Sequence, residues 1–509
     1  MTVSQRILVK LSISLLVLAG FTNTAVVMAE QPNQWKADER VPGYMDDTFT
    51  PFLIADQDGT VHALTSQWIE NIKPRKAVVY RRWSLVGGWT KPVDILLPPK
   101  GNAEFLWAFL DSSGILHMIF MNGEARDMAV YYSQAPVGNA DQAPAWSVPT
   151  MVGERASGVN SAAIAGDENG NLVIIYSGGL DGNGIYEVSS ADSGQTWSEP
   201  SPIFLPNSSD LSPFSLRLFV SPESEIRATW NVVTNLGLDE AVYFANYDIS
   251  VGEWNEPIEL DTRIDKQDYF GPSFPAIVDN GKEIVILYNS GNPFDGRPVR
   301  PGRPIQRVRI STDGGLNWND PIDPFPFHNG RSGESSLALD SRGLAHALFV
   351  QRIDQTNQRG EYSSIGGIWH SVFQTGHWTN PDRFVTTYPA HDVRAIVSQG
   401  NVLLVVWRQD PGAKDPHGVW FSYIMLDSPE LPVVIRPTSV PDAVATASPA
   451  ATSDSTLITV TETPRINLGD MPSGLPSSPA SPLIIAIVPV LVLLAGVLVM
   501  YQVYRSRSN

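Results

Sequence analysis

Between Gln31 and Glu430 the chain is a succession of short apolar runs separated by clusters of turn-forming residues. Val, Ile, Leu, Phe and Tyr fill the runs, and Gly, Asp, Asn, Ser and Pro fill the gaps, as in the strands and turns of an all-β fold. No convincing long helix interrupts this pattern. Seven runs are strongly apolar: Val61–Thr65, Ile115–Phe120, Leu172–Tyr176, Ile226–Trp230, Glu283–Tyr288, Leu344–Val350 and Val402–Trp407. A repeated turn precedes several of them: Asp56-Gln57-Asp58-Gly59, Asp111-Ser112-Ser113-Gly114, Asp167-Glu168-Asn169-Gly170 and Asp340-Ser341-Arg342-Gly343, with Asp279-Asn280-Gly281 one residue shorter. Asp at the start and Gly at the end suit a type I hairpin turn closed by a left-handed residue. The first of these turns also has the beginning of a calcium loop, but it lacks the remaining ligands and the distal Glu, and its siblings lack the second Asp.

A second motif is repeated between the runs. Ser190-Ala191-Asp192-Ser193-Gly194-Gln195-Thr196-Trp197-Ser198-Glu199-Pro200 has a near-complete copy in Ser311-Thr312-Asp313-Gly314-Gly315-Leu316-Asn317-Trp318-Asn319-Asp320-Pro321. Shorter copies keep only Trp-x-x-Pro: Trp89–Pro92, Trp146–Pro149, Trp254–Pro257 and Trp378–Pro381. The six Trp residues are 57, 51, 57, 64 and 60 positions apart, the spacing of stacked supersecondary units. Ser-x-Asp-x-Gly-x-Thr-Trp resembles the Asp-box, or BNR repeat, of sialidases and related Asp-box β-propellers. Ser190, Asp192, Gly194 and Trp197, with Ser311, Asp313, Gly315 and Trp318, are then structural: the Asp accepts backbone hydrogen bonds, the Gly takes a positive φ and the Trp packs. The resemblance implies a propeller of four-stranded blades. Seven strongly apolar runs favour seven blades, with six as the alternative. Six internal Trp turns leave one blade short of its outer strand. Gln34-Trp35, 54 residues before Trp89 and so in register, offers a closing strand up to Val41; Pro432–Arg436 is a second candidate.

The two ends differ from the body. Arg6 and Lys10 precede an apolar run, Leu11–Phe21, and Val27-Met28-Ala29 ends in small residues, so 1–29 reads as a secretory signal peptide. The propeller would span 30–431. Ser, Thr, Pro and Ala dominate 432–482, a stalk composition that buries no core. Leu483 to Tyr501 carries no charge and is long enough to span a bilayer, giving a transmembrane helix over 483–504. Arg505 and Arg507 in the 505–509 tail place the C-terminus in the cytoplasm and the propeller outside the cell. There is no Cys to staple the fold or to bind zinc, the eight His show no metal spacing, and no cofactor is indicated. The net charge of −18 argues against nucleic acid.

The opening turns and the Asp-box turns belong to one face of such a propeller. The other face carries longer, irregular connections: Ser177–Gly184, Asn231–Glu240, Asn289–Ile305, Gln351–Gly367 and Arg408–Gly418. Function sits on loops held by a rigid scaffold, so this face is where a glycan or protein ligand would bind. Candidate ligand-binding residues are Arg352, Arg408, Glu334, Tyr288, Asp392 and Trp407. Glu104, Asn160, Tyr269 and His391 complete the ring, and Asp295, Arg297, Arg300 and Arg303 come from one loop. Arg grips carboxylates, and Trp or Tyr stacks on a sugar. The sialidase resemblance implies a sugar carboxylate held by three Arg, a Tyr–Glu nucleophile pair and an Asp acid. The Arg-Ile-Pro motif that carries the first Arg is absent, and Arg303-Pro304-Ile305 is scrambled. The sequence therefore favours a membrane-anchored binding propeller, with an exo-acting glycoside hydrolase of rearranged site as the alternative.

Overall fold

The computed structural model describes residues 34–434, apart from 70–74, 99–100, 124–127, 154–160, 181, 265–269, 294–302, 331–332, 357–358, 361, 387–389 and 410–416. The signal, stalk and membrane-span expectations lie outside the described residues. Among the described residues no helix is long and apolar enough to cross a membrane.

These residues form seven antiparallel sheets arranged as a ring, a seven-bladed propeller. The innermost, first strands are Phe52–Ala55, Asn102–Leu110, Ala162–Gly166, Leu211–Val220, Ser273–Asp279, Ser336–Leu339 and Ala390–Ser398, for blades 1 to 7 in order. The second strands are Val61–Trp68, Ile115–Gly123, Leu172–Gly178, Ile226–Thr234, Ile284–Ser290, Ala345–Thr356 and Val402–Gln409. Third and outer strands follow, the outer ones short. The first strands together line a central cavity of about 540 Å³.

The ring has seven cores rather than one. Each apolar cluster lies between consecutive blades, because a sheet buried on both faces needs a neighbour on each side. Ile226, Ala228, Trp230 and Val232 of blade 4 meet Val173 and Ile175 of blade 3, and Val242 and Phe244 on the other face of blade 4 meet Ile277, Ile286 and Tyr288 of blade 5. The last cluster joins Val402, Leu404 and Val419 of blade 7 to Val61, Val79 and Trp83 of blade 1.

Blade 7 takes its outer strand from the chain's own beginning. Glu39–Arg40 pairs antiparallel with Gly418–Met425, Glu39 opposite Phe421 and Arg40 opposite Trp420. Lys36 N–H donates to Tyr423 O at 3.0 Å, and Trp35 stacks on Phe384 of blade 6 with ring centroids 3.7 Å apart. Six blades and closure by 432–436 are thus both overturned. The chain at 431–434 instead crosses the face of the opening turns: Leu431 N–H donates to Gln399 O and Val434 N–H to Gln57 O.

Both full copies of the Ser-x-Asp-x-Gly motif work as bolts between blades. Asp192 Oδ1 accepts the N–H groups of Gln195 and Thr196 at 3.0 and 2.8 Å, and Ser190 Oγ accepts that of Gly194 at 2.9 Å. Its hydrogen bond from the Thr196 hydroxyl is the largest influence holding the Asp192 carboxyl down at about 2. Trp197 then meets Tyr132 of blade 2 edge-on at 4.9 Å, and Trp318 meets Phe244 of blade 4 at 4.9 Å. The opening turns are tied within their own blades. Asp56 accepts from the Asp58 and Thr60 N–H groups and faces His62, whose other nitrogen meets the Tyr80 hydroxyl at 2.7 Å. Asp111, His117 and Tyr132 repeat this set.

Gly315 has φ +90°, and a Cβ there would fall on the Phe244 ring. Gly376 has φ +79° with open space around it. Gly315→Ala is therefore expected to cost about 3 kcal/mol and Gly376→Ala only about 1 kcal/mol, measured by urea unfolding. Equal costs would contradict the bolt.

Candidate functional site

The mouth of the central cavity on the irregular face is shaped by bulges at the entering ends of the first strands. Pairing with the second strand slips between Phe105 and Trp107, Phe214 and Arg217, Ser273 and Ala276, and His391 and Arg394. Within the last three, Ser215, Phe274 and Asp392 each take φ 51°. A non-glycine residue in this region costs of order 1 kcal/mol or more, and a bulge re-aims the side chains that follow. In blades 4 and 7 the residue two places on is an arginine, Arg217 or Arg394.

These two arginines grip one carboxylate. Arg217 Nη2 lies 2.5 Å from Glu334 Oε1, and Arg394 Nη2 lies 2.8 Å from Glu334 Oε2. Arg217 also rests on the Trp107 ring at 5.2 Å and Arg394 on the Phe52 ring at 6.0 Å. Glu334 N–H donates to Asp392 Oδ1 at 3.3 Å, and Asp392 Oδ2 lies 2.6 Å from His391 Nδ1. Gly333, before Glu334, has no room for a side chain because a Cβ would fall on Asp392 Oδ1. Burial pushes the Glu334 carboxyl up, but the Arg217 and Arg394 charges outweigh it and hold the group below its ordinary value. Burial likewise raises Asp392, and the hydrogen bond and charge of His391, with the Glu334 N–H, bring it below the usual range.

Beside this cluster lies a pocket of about 330 Å³. Its walls are the rings of Phe49, Phe52, Phe105, Phe214 and Phe274, with Thr50, Thr65, Ser66, Leu106, Glu104, Glu334, Asp392 and Arg394. Phe49 belongs to the segment joining the closing strand to blade 1. Its carbonyl accepts from the Thr65 hydroxyl at 2.8 Å, and just before it in the chain Met45 N–H and the Thr48 hydroxyl both donate to Gln67 Oε1. Its ring is 47% exposed, with Lys76 Nζ at 4.9 Å and the Arg408 guanidinium at 5.5 Å. Lys76 pairs with Glu104 at 2.6 Å.

Of the sequence candidates, the structure brings Glu334 and Asp392 together at this mouth, with Glu104 and His391. Arg408 stands behind Phe49. Arg352 is elsewhere, on the extended hairpin of blade 6, near Asp354 at 3.9 Å; Arg303 pairs with that same Asp354. Tyr288 and Trp407 need correction. Both are fully buried between blades, Tyr288 donating to Asp261 Oδ2 at 3.0 Å and Trp407 packed among Leu348, Leu403 and Val405. Second strands are covered on both faces, so their aromatic residues enter the inter-blade cores instead of the channel. Asn160, Tyr269, Asp295, Arg297 and Arg300 lie outside the described residues. Sequence reasoning missed Arg217, Arg394 and the phenylalanines. Aligning the first strands of blades 4 and 7 exposes the two arginines, each interrupting an apolar strand at the same place. Among the described residues, no group of three or more His, Asp and Glu could hold a metal ion.

No protein-family model matches the chain, and no curated protein matches it. Solved structures do. A protein of unknown function from Dyadobacter fermentans DSM 18053 is 12% identical, with 77% of this chain and 99% of that one covered at a TM-score of 0.46. A PL25 ulvan lyase bound to -[GlcA(1-4)Rha3S]- is 13% identical, with 77% and 96% covered at 0.46, and the polysaccharide lyase Uly1 is 12% identical, with 80% and 95% covered at 0.46. Likeness at this level does not reach the ligand or the reaction of this chain.

Both mouth carboxyls have folded pKa values below their unfolded ones. Their stabilisation is present above about pH 4.5 and is lost as the pH falls through the folded values. Glu334→Gln is expected to cost about 3 kcal/mol at neutral pH, read by thermal melts. The gap to wild type should shrink steadily as melts are repeated down to pH 3; a constant gap would contradict the ionised clamp.

Proposed function

We propose that this protein binds the end of a glycan at the mouth of its central cavity, on the face opposite the Asp-box turns, and does not hydrolyse it. The observation that carries this reading is the 330 Å³ pocket in which aromatic rings and charged groups converge on strained bulges. Its volume suits a single sugar ring rather than a long segment. Rings give stacking surface to the apolar face of a sugar, and Glu104 and Asp392 accept from hydroxyls. Strained backbone held by a rigid ring is a mark of function rather than of folding.

The charge state argues for binding over turnover. A glycoside hydrolase working through paired carboxyls needs one of them protonated at the working pH. Glu334 and Asp392 are both held toward the ionised form, so neither is suited to be the acid. The exo-acting hydrolase would need its acid from some other group.

Export and anchoring are part of the proposal and rest on sequence: the charged start and apolar run of 1–29, and the uncharged Leu483–Tyr501 followed by Arg505 and Arg507. In this reading the propeller stands outside the cell on the 432–482 stalk.

A glycan array probed with the full-length chain, together with a panel of fluorogenic exo-glycosides, tests the reading. Asp392→Asn keeps the left-handed backbone, which Asn tolerates, and removes the charge. It should weaken glycan binding by about tenfold or more, while Arg352→Ala leaves binding unchanged. No glycoside should turn over. Turnover that disappears in Glu334→Gln would establish the hydrolase instead.

A further inference from the structure

Two arginines aimed at one point from opposite sides of a cavity mouth form an anion seat, since each guanidinium presents a planar pair of donors to a carboxylate. In this protein the seat is taken. Glu334 places one oxygen on Arg217 and the other on Arg394, and its side chain is only 20% exposed. What is left facing the pocket has the opposite character. Glu104 is paired with Lys76, and Asp392 with His391, yet Glu104 and Asp392 are among the residues of the pocket wall, whereas Lys76 and His391 are not. The cation in that wall, Arg394, is committed to Glu334. Arg408 lies behind the Phe49 ring and outside the wall, its Nη1 3.5 Å from Asp47 O.

We infer that Glu334 fills from within the arginine clamp that an anionic sugar would use, so that the mouth selects a neutral hydroxylated sugar ring and rejects its acidic counterpart. Among the described residues of the wall, a ligand carboxylate or sulfate would meet three carboxylates and no uncommitted cation. A hydroxylated ring donates to Glu104 and Asp392 and lies against the phenylalanines. The inference rests on the glycan reading for its ligand, but the filled clamp stands on the geometry of Arg217, Glu334 and Arg394 alone. It also runs opposite to what the sialidase resemblance implies, where the arginines serve the ligand's own carboxylate. Gly333 contributes to the selection. Because its Cα lies against Asp392, the chain can bring Glu334 and Asp392 side by side at the mouth.

The test uses the full-length chain and two kinds of probe. Matched sugars, methyl glucoside with methyl glucuronide and methyl galactoside with methyl galacturonide, are titrated by ligand-observed NMR. Sodium acetate is titrated against the melting temperature. In wild type, the neutral member of a bound pair should bind at least about tenfold more tightly than the acidic one, a difference of about 1.4 kcal/mol, and acetate should not move the melting temperature beyond a sodium chloride control. In Glu334→Ala the preference should reverse, and acetate should raise the melting temperature by refilling the seat. Where the alanine variant does not fold, Glu334→Gln, which removes the charge but still fills the seat, should narrow the neutral-over-acidic preference without making the melting temperature respond to acetate; an unchanged preference would overturn the inference. Wild type binding the acidic member as well as the neutral one would overturn the inference, as would an acetate response in wild type equal to that of the variant. If neither sugar of any pair binds while acetate still stabilises only the variant, the filled clamp is upheld and the glycan reading falls.

Discussion

No blade of this molecule can bury its own faces. A four-stranded sheet with apolar second strands is covered only when another sheet presses on each side, so the ring must close or the first and last blades lie open. Closure is made from both ends of the propeller. Glu39–Arg40 completes blade 7, and Trp35 reaches back to stack on Phe384 of blade 6. On the face of the tight turns, the segment after blade 7 crosses the opening turns of three blades, with Ser341 Oγ donating to Pro429 O, then Gln399 and Gln57 accepting from Leu431 and Val434. The two Ser-x-Asp-x-Gly turns act at interfaces in between, and each Asp–His–Tyr set ties an opening turn to an aromatic residue of its own blade.

The site is a by-product of that closure. Seven first strands converge on one axis, and their entering ends are free of the tight turns that bind the opposite face. There the strands bulge, and Ser215, Phe274 and Asp392 are held at φ 51° because the ring around them is rigid. The same bulges bring Arg217 and Arg394, 177 residues apart in the sequence, onto one glutamate. The segment that closes the ring also supplies Phe49 to the pocket, so closure and site share a stretch of chain.

Much of the fold was legible because turns and large apolar residues keep their register from blade to blade. The Trp-x-x-Pro spacing located the units, the Asp…Gly turns located their first hairpins, and Trp35 marked the closing strand. The site was less legible because alternation fails where strands bulge. One inserted residue shifts every later side chain to the other face, which hides Arg217 and Arg394 from any simple count along the strand. Tyr288 and Trp407 misled for a different reason: they lie inside second strands, which run two residues further and are covered on both sides, and an aromatic residue there fills an inter-blade core. Arg352 sits on a hairpin that outgrows its sheet, so its place in the repeat did not put it at the axis. Glu334 and Asp392 were found, but not the two arginines that hold Glu334 toward its ionised form.

The central claim is that the irregular mouth is the ligand face. Hydrogen–deuterium exchange on the full-length chain, with and without the glycan that binds best on an array, tests it most directly. Slowed exchange is expected in the backbone around Phe49–Thr50, 104–107, 214–217, 273–276 and 391–394, with the turns Ser190–Trp197 and Ser311–Trp318 on the opposite face unchanged. Slowed exchange confined to those turns, with the mouth unaffected, would contradict it.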